Sequence, residues 1–220
     1  MAIKHLIFDC DGVLIDSEIL ASRIILDELK TFDFAMEEKV YSAKYSGFLT
    51  KDIIKMLKEE YNLPLPDDFQ KTLHGRMDEA FETILEPVSG MPDLIASLPL
   101  PKNVVSNGRG VHVERALKLT GLTSYFGKEI FSVDRVQNPK PHPDLYLLAL
   151  KTIGREFDDV LVVEDSGAGV QAAKAAGLTV IGFAGASHVG PEHGEKLTAL
   201  GADYIAEDAI VLRQHFERLL

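Results

Sequence analysis

The chain has 220 residues, 46 % of them hydrophobic, and a formal net charge of -11 from 34 acids and 23 bases. That composition excludes a disordered chain. The acidity is a poor match to nucleic-acid phosphates or anionic membranes, although it leaves room for a small anion in a locally positive pocket. With one cysteine, Cys10, no intramolecular disulfide framework is available. No apolar run approaches the roughly 20 residues of a membrane helix, and the first residues lack the pattern of a signal peptide. A soluble, cytoplasmic protein is expected, with no membrane or nucleic-acid partner.

Residues 3–8 read as a buried strand, broken by His5. After Gly12 the period changes: Ser17 is a candidate N-cap, and Leu20, Ile24, Ile25 and Leu29 recur at helical spacing. Helical patterning continues to about Leu85, over roughly 17–31, 36–45, 50–61 and 66–84, with breaks near Gly47, at 62–66 and at 86–90. Asp67 and Asp68, after Pro66, suit a helix start, where acids meet the positive helix end. Beyond Gly90 the chain alternates. Apolar strands at about 104–106, 130–133, 160–163, 180–183 and 204–205 are separated by helices at about 110–120, 143–153 and up to Ala176.

Short, nearly continuous apolar strands alternating with helices indicate an α/β fold with a parallel sheet covered on both faces. One strand precedes the helical block and the others follow it. The simplest architecture is a core of residues 1–15 and 88–220 with a helical cap, 16–87, inserted after the first strand. Gly12, Pro87 and Gly90 suit the two connections.

Ligands in open parallel sheets bind at the carboxyl ends of strands. Asp9 and Asp11 fall at such an end, in FDCDGVLIDSE; so do Ser106 and Asn107, in VVSNG, and Glu164 and Asp165, in VVED. Lys140 follows another strand, in PKPHPD. Each fragment alone has an ordinary reading: a turn cap, a turn, a solvated lysine, a helix N-cap. Their ordered recurrence at successive strand ends favours a site. Two unit charges about 5 Å apart repel by roughly 3 kcal/mol at an effective dielectric of 20. Four carboxylates in one crevice therefore require protons or cations, and all-oxygen donors favour a hard divalent cation such as Mg2+.

FDCDGVLIDSE, VVSNG, PKPHPD and EDSGAGVQAAKAAG resemble the four ordered motifs of the haloacid dehalogenase-like (HAD) phosphotransferases, in the subgroup of β-phosphoglucomutase and small sugar-phosphate phosphatases. The resemblance covers nearly the whole chain. It implies a doubly wound, Rossmann-like core with an inserted helical cap and Mg2+ as cofactor. Asp9 would attack phosphorus and Asp11 would act as acid and then base. The metal would be held by the Asp9 side chain, the Asp11 main-chain carbonyl and Asp165, with Glu164 direct or through water. Ser106, the Asn107 N–H and Lys140 would serve the phosphate. The expected reaction is hydrolysis of a sugar or sugar-acid phosphate such as 6-phosphogluconate.

Three other readings stand beside it. A phosphosugar mutase carries a cap histidine and a cap arginine that grips a second phosphate. Here no histidine lies between Asp9 and His74, and the cap arginines are Arg23 and Arg76; Lys51 is a weaker match to bidentate recognition. A dinucleotide site on Gly167-Ala-Gly169 would face repulsion from Glu164 and Asp165. A receiver-like domain would lack the helical insertion. Cys10 is expected to face the core, His188 and His193 to lie in a glycine-rich loop, and Arg109, whose loop would lie beside the phosphate, is a candidate to meet the substrate's non-reacting end.

Overall fold

The computed structural model describes residues 3–45, 48 and 50–220; the expected break at Gly47 lies outside them. Strand β1 (His5–Phe8) is buried along its whole length. Leu6 and Phe8 enter one hydrophobic cluster and Ile7 another, the period-2 signature of a strand covered on both faces. His5 interrupts the apolar run without cost to the core, because its Nε2 bonds Asn103 Oδ1 at 2.9 Å.

The other strands are β2 (Lys102–Ser106), β3 (Ile130–Ser132), β4 (Val160–Glu164), β5 (Thr179–Phe183) and β6 (Tyr204–Ala206). All pair in parallel, in the order β3-β2-β1-β4-β5-β6. The chain moves outward from β1 to β3, then returns to the other side of β1 with β4. The switch point thus lies between β1 and β4, where a crevice opens at the carboxyl ends. This is the doubly wound α/β core that the strand pattern implies.

Helices α5 (Met91–Ser97), α6 (Gly110–Leu119) and α10 (Ala209–Leu219) cover the face of Phe8, Val104 and Val163. Helices α7 (Asp144–Ile153) and α8 (Gly167–Ala175) cover the face of Ile7, Val105 and Val162, with Leu197 of α9 (His193–Ala199) beside them. Helices α5, α9 and α10 lie in stretches where no helix is anticipated from the sequence. Among the described residues, no helix is long and apolar enough to cross a membrane.

Between β1 and α5 come α1 (Ser17–Lys30), α2 (Glu38–Tyr45), α3 (Thr50–Tyr61) and α4 (Phe69–Thr83). They pack around a cluster of their own, with Leu29, Leu57, Phe69 and Leu73 almost fully buried. The chain enters and leaves this bundle side by side: Asp16 N donates to Glu86 O at 3.0 Å and Val88 N to Leu14 O at 3.0 Å. Ile15 and Pro87 form an antiparallel bridge. Ser17 is not the N-cap. Asp16 occupies that position without a side-chain cap bond, and Ser17 starts the helix with its hydroxyl turned elsewhere.

Two glycines separate close packing from helix propensity. A Cβ on Gly169 in α8 would lie 1.9 Å from the Glu164 carboxyl carbon, whereas one on Gly75, in the exposed interior of α4, meets nothing within 4 Å. Gly169→Ala is expected to lose about 2 kcal/mol or more through overpacking. Gly75→Ala is expected to gain about 0.5–1 kcal/mol. Urea unfolding of the two variants checks both signs.

Candidate active site

The site begins with the end of β1. Asp9 N bonds Val163 O at 2.9 Å, continuing the β1–β4 ladder one residue past the strand, so Asp9 is placed by the sheet itself. Strand alternation sends Cys10 the other way, into the core, where it is fully buried. Burial pushes its thiol well above the usual range, so it stays protonated and inert. Gly12 then turns with φ of 74°. A Cβ there would lie 1.9 Å from Asp165 Oδ2, so this position needs glycine for both its conformation and the close approach.

Lys140 reaches the crevice from the loop before α7. Its ammonium donates to Asp9 Oδ1 at 2.6 Å, Glu164 Oε1 at 2.5 Å and Val105 O at 2.7 Å. An ammonium has three protons, and all three are committed within the protein. The loop is held by Asn107, whose amide bonds the Lys140 main chain in both directions at 3.0 Å. The Asn107 side chain is thereby engaged. Ser106 Oγ, 1 % exposed, accepts from Gly108 N at 2.8 Å and keeps its own proton to donate.

Glu164 is the most enclosed acid, with 0 % exposure. It accepts from Lys140, from the Tyr146 hydroxyl at 2.6 Å, and from Ser166 through N at 3.4 Å and Oγ at 3.2 Å. Asp165 is also buried. Oxygens of Asp9, Glu164 and Asp165 lie within 4.8 Å of one another. The Asp11 side chain stands apart from this group. It is half-buried, accepts from Ser17 Oγ at 2.6 Å, and its Oδ2 lies 3.6 Å from where a Cβ on Gly108 would sit.

The electrostatics follow from that count: three buried acids face one lysine. Burial, then Glu164, raises the Asp9 carboxyl to about 8, against the pull of Lys140. Burial, then Asp9 and Glu164, holds Asp165 well above the carboxylate range. Burial opposes the charge on Lys140, but Asp9 and Glu164 outweigh it and strengthen its hold on the proton. The cluster lacks positive charge when empty of ions, and its donors are all oxygen. Both properties fit a hard divalent cation.

Several residues around the site are either silent in the sequence or read there only as part of a loop. Tyr146 reads as one more apolar position of α7, yet a buried tyrosine hydroxyl needs a partner; it finds Glu164, and the ring lies 5.2 Å from Lys140 Nζ. His188 Nε2 lies 3.9 Å from Asp165 Oδ2. Burial lowers this histidine to about 4, so the contact is not an ion pair at neutral pH. His193 lies not in a loop but at the start of α9, and its Nε2 is 2.5 Å from Asp165 O. Glu18, in the first turn of α1, carries a carboxyl raised by burial and then by Asp11.

A cleft of about 380 Å³ opens beside Asp11, between α4 and α6; Ser17, Phe81, Leu85, Gly108 and Arg109 are among its walls. Arg109 is exposed and lies 3.6 Å from Asp134 Oδ1. The cap arginines are engaged with acids, Arg23 with Glu38 at 2.7 Å and Arg76 with Glu28. Lys44 likewise pairs with Glu60 at the surface.

Known proteins resemble the chain along most of its length. A 6-phosphogluconate phosphatase of Escherichia coli is 27 % identical over 197 residues, 89 % of each chain. A haloacid dehalogenase-like protein of unknown function from Agrobacterium tumefaciens superposes with a TM-score of 0.90 at 30 % identity, covering 99 % of both chains. A HAD family hydrolase of Deinococcus radiodurans, solved with bound phosphate and sodium, gives 0.88 at 25 % identity over 99 % of this chain and 96 % of that one. The profile of the haloacid dehalogenase-like hydrolases matches residues 6–183. The chain belongs to the haloacid dehalogenase-like hydrolase family.

Proposed function

We propose that this protein is a Mg2+-dependent phosphatase that hydrolyses a small sugar or sugar-acid phosphate through an aspartyl-phosphate on Asp9. The observation that carries the reading is the pairing of two unlike acids at the end of β1. Asp9 is buried against Lys140, while Asp11 is turned toward the cleft and held by Ser17. Two carboxyl groups in two environments suit two roles. The similarity to a 6-phosphogluconate phosphatase supports the substrate class. We take residues 16–87 as the cap and 1–15 with 88–220 as the core, because the bundle has its own hydrophobic cluster.

In the first step Asp9 forms a bond to phosphorus as the ester P–O bond breaks. Lys140 occupies Oδ1, which leaves Oδ2 as the attacking oxygen. Asp11 delivers its proton to the departing alkoxide, whose carbon skeleton lies in the cleft beside it. In the second step Asp11 takes a proton from water, the water oxygen attacks phosphorus, and Asp9 leaves as the free carboxylate with inorganic phosphate. The Ser106 hydroxyl and the Asn107 N–H donate to the phosphoryl oxygens. Lys140 acts by charge, since its own protons are already placed. Ser17 orients Asp11.

The metal would be held by Asp9 and Asp165 with the Asp11 main-chain carbonyl. Glu164, whose oxygens take bonds from Lys140, Tyr146 and Ser166, buttresses that set directly or through water. Mg2+, when bound, supplies the charge that keeps Asp9 ionised and neutralises the phosphate. A mutase reading is disfavoured because the cap arginines are tied to surface acids.

Phosphate release with Mg2+ across phosphorylated sugars, sugar acids and nucleotides tests the reading; no release from any of them would sink it. Asp9→Asn should abolish turnover, and chelation should do the same reversibly. Asp11→Asn should lower kcat by about 100-fold or more, since general acid–base catalysis contributes 10²–10⁴-fold. Metal binding should also depend on pH. Asp9 titrates near 8 without metal, so protons compete with Mg2+ for this ligand below that pH and progressively less as the pH rises through it. The rise in Tm produced by saturating Mg2+ should therefore grow from pH 6 to pH 8. An equal rise at both would contradict this account of Asp9.

A further inference from the structure

The segment from β5 to α9 carries no part of the chemistry described above, yet it touches the site at three points. Ser187 meets Asp16, the residue preceding α1: its N–H donates to Asp16 Oδ1 at 3.2 Å and its hydroxyl donates to Oδ2. His188, 8 % exposed, packs near Gly12, with its Cε1 3.2 Å from where a Cβ on that glycine would sit. His193 Nε2 lies 2.5 Å from the main-chain oxygen of Asp165. A carbonyl oxygen only accepts, so His193 Nε2 is the protonated nitrogen.

Asp16 makes the arrangement informative. An aspartate before a helix ordinarily caps its free N–H groups. Asp16 does not; both its oxygens are turned across the molecule to Ser187. One end of the segment therefore grips the entrance to the helical bundle. The other fixes the main chain of an acid that faces the metal cluster. Groups that orient metal ligands from behind typically carry ten- to a hundredfold of metal affinity.

We infer that His193 is a positioning residue for Asp165, and that residues 187–193 form a strap coupling the cap hinge at Asp16 to the metal site. The strap rests on the metal reading given above but not on any substrate. Its parts act in series, so loosening either anchor loosens Asp165. Ser187 touches no acid of the metal cluster, yet its loss weakens metal binding.

Calorimetric titration of the intact protein with Mg2+ reads this directly, without turnover. His193→Phe should weaken Mg2+ binding by about tenfold or more. His193→Gln, which keeps an N–H at nearly the same reach, should recover most of it. Ser187→Ala should weaken binding by about threefold in the wild-type background and by much less in His193→Phe, because neighbours in one network are not additive. The Mg2+ concentration for half-maximal activity should shift in parallel, with substrate KM at saturating Mg2+ unchanged. Wild-type affinity in His193→Phe, or equal damage in His193→Phe and His193→Gln, would overturn the positioning role. Equal effects of Ser187→Ala in both backgrounds would overturn the strap. If His193→Phe fails to fold, His193→Gln and Ser187→Ala decide: an unchanged affinity in Ser187→Ala, or a loss in His193→Gln as large as chelation-level weakening, overturns it. Wild-type protein that binds no Mg2+ would overturn both this inference and the metal reading. Mg2+ binding without phosphate release would sink only the function.

Discussion

The arrangement at the crevice turns on one buried ammonium. Lys140 stands between Asp9 and Glu164 with 2 % of its side chain exposed. Removing a lysine from water is costly unless its charge is met and every proton is used. Here two carboxylates and the Val105 carbonyl meet that demand. The same contacts fix Asp9, orient Glu164 and tie the loop before α7 to β2. Because three acids surround one lysine, the neutralisation is incomplete, and the remaining deficit of positive charge is one that a bound cation could fill. A second lysine in place of one acid would make a quieter interior and a poorer metal site.

The sheet supplies the precision. The acids sit at the ends of central strands β1 and β4, paired in register with Phe8 opposite Val163. Positions fixed by a hydrogen-bond ladder move less than positions on a loop. Asp11 and the cleft walls lie outside that ladder, on the segment entering the bundle and on α4 and α6. In the proposed reaction that division would set the phosphorus atom against the sheet and the carbon skeleton of the substrate against the cleft.

Much of this was legible in the residues, for definable reasons. Apolar runs such as Val160–Val163 read as strands because burial on both faces leaves no polar positions. The acids were legible because they follow those runs at once. Helix ends were less so. Ser17 resembles a cap by type and position, but its hydroxyl is worth more to Asp11 than to the helix, and local propensity yields to a tertiary contact. Tyr146 and His193 were hidden for a related reason. Each acts through a partner distant in sequence, Glu164 and Asp165, and nothing in a single chain marks which tyrosine or histidine will face a carboxyl group or a carbonyl after folding. Helices α5 and α9 have only 7 residues each, too few for a helical period to stand out; α10 does carry one, in Ala209, Leu212 and Phe216.

The paired connections at residues 14–16 and 86–88 bear on how the bundle can move. A domain on a single flexible linker can spin and drift. One that leaves and returns through two hydrogen-bonded segments has lost those freedoms, since twisting would shear the bonds between them. What remains is a bend of the ribbon as a unit, close to one axis. For a bundle that closes over the proposed substrate, such a joint would keep the entropy cost low, because few orientations would be given up. It also makes the bundle replaceable: any helical insert whose ends meet side by side could be seated on the same core without disturbing β1 or the acids at its tip.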